Sequence, residues 1–251
     1  MNSNSLVSMK NISKSFGSIE ALKNANFDLN KGEIVGLAGD NGAGKSTLVK
    51  ILAGVFPYDS GKIFLEGNQL KLSSPKEAIQ LGIESIYQDL ALFEDMNLSR
   101  NIFIGREPVK NKLGGLIKHL DMKKMNQETL KALKMTKINL TDTSQLIHTL
   151  SGGQRQSVAV ARAVYFRAKV VIMDEPTAAL SVKEVQKILD LALELKAEGI
   201  GVIIITHNLH HMFAVADRIT VLQQGTLVGE KKIADTNIRE IEKLIIGNEF
   251  S

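Results

Sequence analysis

The chain contains no cysteine, which excludes a disulfide framework and a zinc site built from thiolates. Its stability must therefore come from a packed core. The composition allows one, since 44% of the 251 residues are hydrophobic. A chain of this length is sufficient for one large α/β core with a subdomain.

Long hydrophobic runs are also missing. A membrane-spanning helix needs roughly 20 apolar residues, whereas the chain offers only the short stretches Ile34–Ala38, Val170–Met173 and Val202–Ile205. We interpret these stretches as buried strands. Residues 1–16 likewise lack the apolar run of a secretory signal. Any membrane role is therefore expected to depend on a partner chain.

The excess of one charge sign is small. The chain has 31 basic and 27 acidic residues, which gives a net charge of +4. A domain that binds nucleic acid typically carries a stronger and more clustered basic surface. Ordinary surface charge accounts for this balance, so we expect no nucleic-acid partner.

Short apolar strands alternate with helical patterns along much of the chain. This alternation predicts an α/β fold with a mostly parallel sheet covered by helices on both faces. Two earlier apolar runs, Leu6–Met9 and Phe27–Leu29, predict antiparallel strands near the N-terminus. A hairpin is expected around the turn residues at 223–225.

The composition changes at about Asp89, where strand signals vanish and Lys, Met, Leu and Asn become frequent. We interpret residues 89–163 as a mostly helical insertion, with a loop over Glu107–Gly115. Residues 1–88 and 164–251 are then expected to form the core that the insertion interrupts.

A glycine-rich motif of the form G-x-x-x-x-G-K-[ST] follows the strand Ile34–Ala38 and opens a predicted helix. Its glycines let backbone N–H groups turn inward around phosphates, at the positive end of that helix. Lys45 would reach the terminal phosphates, and the Ser46 hydroxyl would bind Mg²⁺. The expected nucleotide-binding residues are Gly39, Asp40, Asn41, Gly42, Ala43, Gly44, Lys45, Ser46 and Thr47.

Two carboxylates, Asp174 and Glu175, follow the buried strand Val170–Met173. The carboxyl end of a strand in a parallel sheet is where ligands bind. Asp174 is therefore expected to hold Mg²⁺, directly or through water. Glu175 is expected to orient the attacking water and act as its general base.

A second anion-binding pattern lies at residues 150–154, which read Leu150, Ser151, Gly152, Gly153 and Gln154. A serine cap, two glycines and a helix start can bind phosphate. The first loop already occupies the near side of the phosphates. A second loop makes sense if it approaches from another copy of the chain, so Ser151, Gly153 and Gln154 are expected to contact nucleotide in trans.

Together these motifs resemble the ATPase domain of ABC transporters, and the resemblance covers the whole chain. It implies a P-loop NTPase core, an N-terminal antiparallel β subdomain and an inserted α-helical subdomain. It also implies that two chains, or this chain and a paralogue, close around two Mg-ATP and hydrolyse ATP.

The resemblance assigns further site residues. Phe16 is similar to the aromatic that stacks on adenine, and Gln88 to the glutamine that contacts Mg²⁺ or the attacking water. His207 occupies the position of the histidine that contacts the γ-phosphate. Residues 177–181 occupy the D-loop region, with Ser181 where many members have Asp.

One branch of the family, the monosaccharide importers of the ribose, xylose and fructose type, is similar in five segments. These segments are Tyr87–Phe93, Asn101–Glu107, Glu175–Ser181, His207–His211 and Ala216–Arg218. The resemblance implies a peripheral subunit on the cytoplasmic face of the cell membrane, bound to a permease and indirectly to a substrate-binding protein. Many members fuse two ATPase halves. The single phosphate loop in this sequence leads us to expect one ATPase half, and we expect no regulatory C-terminal domain.

Several alternatives stay open. The alternative functions are the ATPase of an exporter or of an amino-acid or nucleoside importer, a soluble ABC-type ATPase, and a non-hydrolytic nucleotide-binding module. Glu175 and His207 argue against the last. The apolar run Leu90–Phe93 is expected either to line a groove for a permease helix or to pack inside the insertion. The remaining histidines are interpreted as surface or packing residues: His119, His148, His210 and His211.

Overall fold

The protein is described by a computed structural model that covers residues 5–86, 92–112, 117–135, 140–177 and 181–247. Packing divides the chain into two compact units. The first consists of Met1–Gln88 with Ala168–Ser251, and the second of Asp89–Arg167. The two units are described separately below.

The first unit contains an antiparallel sheet built from the N-terminal part of the chain. Its strands, in spatial order, are β2 (Ile19–Asn30), β1 (Ser5–Phe16), β4 (Ser60–Leu65) and β5 (Asn68–Leu70). The predicted antiparallel strands are confirmed, and both are longer than the apolar runs that indicated them. Register shifts in β1 between Met9 and Ile12, and between Ile12 and Lys14, interrupt the alternation of polar and apolar residues in the sequence.

A six-stranded sheet forms the centre of the same unit. In spatial order it contains β12 (Thr226–Lys232), β11 (Arg218–Gln223), β3 (Ile34–Ala38), β10 (Gly201–Ile205), β9 (Val170–Asp174) and β6 (Ile83–Ile86). All neighbouring pairs are parallel except the hairpin of β11 and β12. The predicted fold class is confirmed. The carboxyl ends of β3, β9 and β10 consequently share one edge.

Helices complete the first unit. They are α1 (Lys45–Leu52), α2 (Pro75–Gln80), α6 (Val182–Ala197), α7 (Leu209–Val215) and α8 (Ile238–Ile246). The short helix α7 was not expected from the sequence, and it directly follows the loop that carries His207. Among the described residues, none of the helices is both long and apolar enough to span a bilayer.

Within its described residues, the second unit contains three α-helices, α3 (Leu98–Phe103), α4 (Met122–Met135) and α5 (Gly152–Tyr165). It also contains a β-hairpin of β7 (Val109–Lys112) and β8 (Ile117–Leu120), and β7 lies within the segment predicted as a loop, Glu107–Gly115. That expectation was wrong because the two strands are only four residues long, too short for polar–apolar alternation to stand out. Helix α5 extends beyond both ends of the helix expected at 156–163.

Arg218, at the start of β11, joins the two sheets of the first unit. Its Nε donates to Glu33 Oε1 at 2.7 Å, and its Nη2 donates to the Asp28 backbone oxygen at 2.6 Å. Burial disfavours the guanidinium charge, but the hydrogen bond to Glu33 and the nearby carboxylates outweigh it and raise the pKa of Arg218. Arg218 thus links β2, through the Asp28 oxygen, to Glu33, the residue that precedes β3, the strand that leads into the phosphate loop.

Candidate functional site

The phosphate loop connects β3 to α1 at the carboxyl edge of the central sheet. At two of its glycines a side chain would be strained and would clash with neighbouring backbone. Gly39 has a φ of 145°, and a Cβ there would lie 2.2 Å from the Leu222 backbone oxygen. Gly44 has a φ of 104°, and its Cβ would lie 2.6 Å from the Ala21 backbone oxygen. The loop is therefore packed closely on its protein side, as a backbone cradle requires.

Lys45 is turned into this loop. Its Nζ donates to the backbone oxygens of Gly39 at 2.6 Å and of Asp40 at 2.9 Å, and the side chain is buried. Burial lowers the pKa of Lys45, and the neighbouring carboxylates, Glu175 foremost, oppose that effect. The ammonium is thus held inside the cradle, where a phosphate could replace the two carbonyl oxygens as its partner.

Ser46, at the start of α1, faces Asp174, at the end of β9. The Ser46 Oγ lies 3.5 Å from Asp174 Oδ1. Mg²⁺ prefers oxygen ligands and usually takes one or two from protein, with phosphates and water completing its octahedron. A hydroxyl and a carboxylate beside a phosphate loop fit that requirement.

Glu175 and His207 meet at the same edge. The Glu175 Oε1 lies 3.0 Å from His207 Nε2, and the two side chains are partly exposed. Glu175 has a φ of 52°, an unfavourable conformation for a residue with a Cβ, and its N–H donates to the Ile205 backbone oxygen at 2.9 Å. The strained backbone turns the carboxylate out of the sheet, toward the face that carries Lys45.

Phe16 lies at the end of β1 and is 42% exposed. Its ring packs edge-on against Phe56 with centroids 5.2 Å apart, and the Lys14 ammonium lies 5.4 Å from its centroid. A half-exposed ring held from behind leaves a surface on which a base can stack.

Ser151, Gly153 and Gln154 lie at the start of α5, in the second unit. The Gln154 N–H donates to Ser151 Oγ at 3.3 Å, and the Ser151 N–H donates to Gln154 Oε1 at 2.9 Å, so the pair forms a capping box. A Cβ on the exposed Gly153 would meet no atom within 4 Å. Packing within the chain therefore gives no reason for a glycine here, whereas a ligand or partner approaching closely would.

Some predicted residues cannot be placed. Gln88 and residues 178–180 of the D-loop region lie outside the described residues. Two of the histidines interpreted as surface or packing residues have hydrogen-bond partners: His148 Nδ1 lies 3.2 Å from the Glu94 backbone oxygen, and His211 has two side-chain partners. His211 Nδ1 lies 3.2 Å from Thr177 Oγ1, and its Nε2 lies 3.1 Å from Asn208 Nδ2. The only hint in the sequence is its spacing of four from His207.

Comparisons with known proteins agree on one family. The family model described as ABC transporter matches residues 22–178. The xylose/arabinose import ATP-binding protein of Sulfolobus acidocaldarius is 50% identical over 96% of this chain and 93% of its own length. The fructose import ATP-binding protein of Rhizobium meliloti is 44% identical over 88% of this chain and 85% of its own length.

Solved structures are similar throughout the chain. An ATP-binding cassette of an ABC transporter, in its ADP conformation, is 28% identical with a TM-score of 0.76, over 98% of this chain and 96% of the other. A dimeric cassette in a post-hydrolysis state, bound to ADP and phosphate, is 26% identical with a TM-score of 0.65, over 91% of this chain and 99% of the other.

Proposed function

This chain is an ATPase of the ABC transporter family, and we propose that it drives the import of a monosaccharide through a separate permease. The observation that carries the hydrolytic part is the contact of 3.0 Å between Glu175 Oε1 and His207 Nε2, beside the phosphate loop. The relatives named for xylose, arabinose and fructose import support the substrate class.

The proposed chemistry transfers the γ-phosphoryl group of ATP to water, which yields ADP and phosphate. The loop amides and Lys45 bind the phosphates, and Glu175 orients the attacking water and accepts its proton. His207 holds the Glu175 carboxylate and contacts the γ-phosphate. Mg²⁺, held by Ser46 and Asp174, would neutralise charge on the terminal phosphates.

The proposed assembly is a dimer in which Ser151, Gly153 and Gln154 of one chain close over the nucleotide of the other. The open space above Gly153 and the similarity to a dimeric cassette support this arrangement. In the full transporter the chain lies on the cytoplasmic face of the membrane beneath its permease, and a substrate-binding protein delivers the sugar.

We expect the reconstituted transporter to take up a pentose or ketohexose only when ATP is present inside. The vesicles would contain this chain, its permease and a sugar-binding protein. Uptake of labelled xylose, arabinose, ribose and fructose is measured with ATP or ADP. Uptake of labelled amino acids or nucleosides, together with no uptake of any of the sugars, would contradict sugar import.

The surface near Phe93 is the proposed contact with the permease. Leu92 is buried in the core of the second unit, which supports the packing alternative for that residue. Phe93 differs, because its side chain is 51% exposed. Its backbone is held firmly: the N–H donates to Asn101 Oδ1 at 2.7 Å, and Asn101 Nδ2 donates to the Phe93 oxygen at 3.0 Å. A rigid backbone that presents an exposed ring is suited to a partner. Leu90 and Ala91 lie outside the described residues.

We expect Phe93→Asp to abolish coupled transport while basal ATPase activity and melting temperature stay close to wild type. A half-exposed side chain contributes little to folding, but a carboxylate cannot enter an apolar interface without a large desolvation cost. Transport, basal ATPase activity and melting temperature are measured on the same preparations.

The matched control is Val109→Asp, since Val109 is also apolar, 52% exposed and in the second unit. This variant should transport normally. If Phe93→Asp loses all three properties together, Phe93 is a packing residue and the proposed contact is wrong.

A further inference from the structure

A closed ring of hydrogen bonds lies behind the Glu175–His207 contact. The Thr177 and Thr206 hydroxyls are both buried and lie 3.2 Å apart. The Asn208 N–H donates to Thr206 Oγ1 at 3.2 Å, and Asn208 Nδ2 lies 3.1 Å from His211 Nε2. His211 Nδ1 closes the ring on Thr177 Oγ1 at 3.2 Å. The ring thus joins the loop after β9 to the loop after β10 through the first turn of α7.

The direction of each bond in the ring follows from its neighbours. The Asn208 Oδ1 accepts from the His210 N–H at 3.0 Å, which caps α7 and leaves the amide Nδ2 as a donor. His211 Nε2 must then accept, so the imidazole is neutral and carries its proton on Nδ1. The Nδ1–H donates to Thr177 Oγ1, whose own hydroxyl donates to Thr206 Oγ1.

The surroundings of His211 agree with this protonation state. Burial, and secondarily the charge of His210, lower the pKa of His211, so that the neutral form dominates at pH 7. The imidazole Nδ1 is therefore the donor and Nε2 the acceptor. A side chain that lacks either a donor or an acceptor cannot close the ring of hydrogen bonds.

Thr177 is two residues beyond Glu175, and Thr206 immediately precedes His207. The two loops are otherwise joined here by the backbone bond from Glu175 to Ile205 and by the side-chain contact between Glu175 and His207. From this geometry we propose that His211 is a positioning residue, which fixes the loop of the general base against the loop of the γ-phosphate histidine. The inference rests on the proposed roles of Glu175 and His207.

The first test compares His211→Leu, His211→Gln and His210→Leu in steady-state ATP hydrolysis. Loss of the buried hydrogen bonds should lower kcat of His211→Leu about tenfold, with KM for Mg-ATP changed less than about twofold because His211 does not bind nucleotide. The glutamine amide offers one donor and one acceptor on the same group, so His211→Gln should recover most of the rate. His210→Leu removes an exposed neighbouring imidazole and should behave as wild type.

The second test is a double-mutant cycle with Thr177→Val, which removes the hydroxyl and keeps the shape. Thr177→Val should lower kcat as His211→Leu does, and the double variant should be no slower than either single variant, because all three break one ring. A His211→Leu chain with wild-type kcat, a His211→Gln chain as slow as His211→Leu, or additive losses in the double variant would each overturn the inference. Glu175→Gln is measured alongside to tell two failures apart. If it hydrolyses ATP at the wild-type rate, the proposed role of Glu175 as the base, on which the inference rests, is wrong. A slow Glu175→Gln beside a His211→Leu chain with wild-type kcat contradicts only the role of His211.

Discussion

A Glu175→Gln chain is expected to bind Mg-ATP and to hydrolyse it roughly 10²–10⁴-fold more slowly than the wild type. The amide keeps the size of the carboxylate and the contact with His207, but it cannot accept the proton of the attacking water. ATP bound without hydrolysis should also hold two chains together. Phosphate release gives the rate, and light scattering with ATP gives the mass.

The control for this substitution is Glu198→Gln, which makes the same change at an exposed residue at the end of α6. That chain should hydrolyse ATP at the wild-type rate. Phosphate release near the wild-type rate from Glu175→Gln would show that another group acts as the base.

Mixing Lys45→Ala chains with Ser151→Arg chains is expected to restore activity that neither variant has alone. If Ser151 acts in trans, each site combines the phosphate loop of one chain with the α5 start of the other. A mixed dimer then contains one intact site. Random pairing of equal amounts should recover roughly a quarter of the wild-type sites.

Hydrolysis by the wild-type chain should also rise more than linearly with protein concentration, since the site forms only on association. Both measurements use the isolated chain in steady state. Two inactive variants that stay inactive when mixed, together with a specific rate independent of concentration, would contradict a site shared between chains.

The strands and the phosphate loop were predictable from the sequence alone. Ile34–Ala38 and Val202–Ile205 are apolar throughout, because strands buried on both faces expose no polar position. The glycines of the loop were recognisable since their backbone conformations exclude other residues, as the close approach at Gly39 shows. Signals of this kind are local, so they survive in a single sequence.

The hairpin of β7 and β8 and the short helix α7 were not predictable in the same way. Four-residue strands and a seven-residue helix contain too few positions for their periodicity to exceed chance. The Asn208 cap is a local signal for the start of α7. The contact between His211 on this helix and Thr177 in the loop after β9 arises only in the folded chain.

The sequence by itself determined which residues are available to bind phosphate and metal, because each kind of binding needs particular residue types at fixed spacing along the chain. The tertiary structure alone decided which of those residues meet. Glu175 and His207 are 32 positions apart, yet their side chains touch because β9 and β10 are parallel neighbours that end at one edge. The same pairing brings Thr177 to Thr206 and leaves His211 within reach of both loops, a closeness that spacing along the chain does not encode.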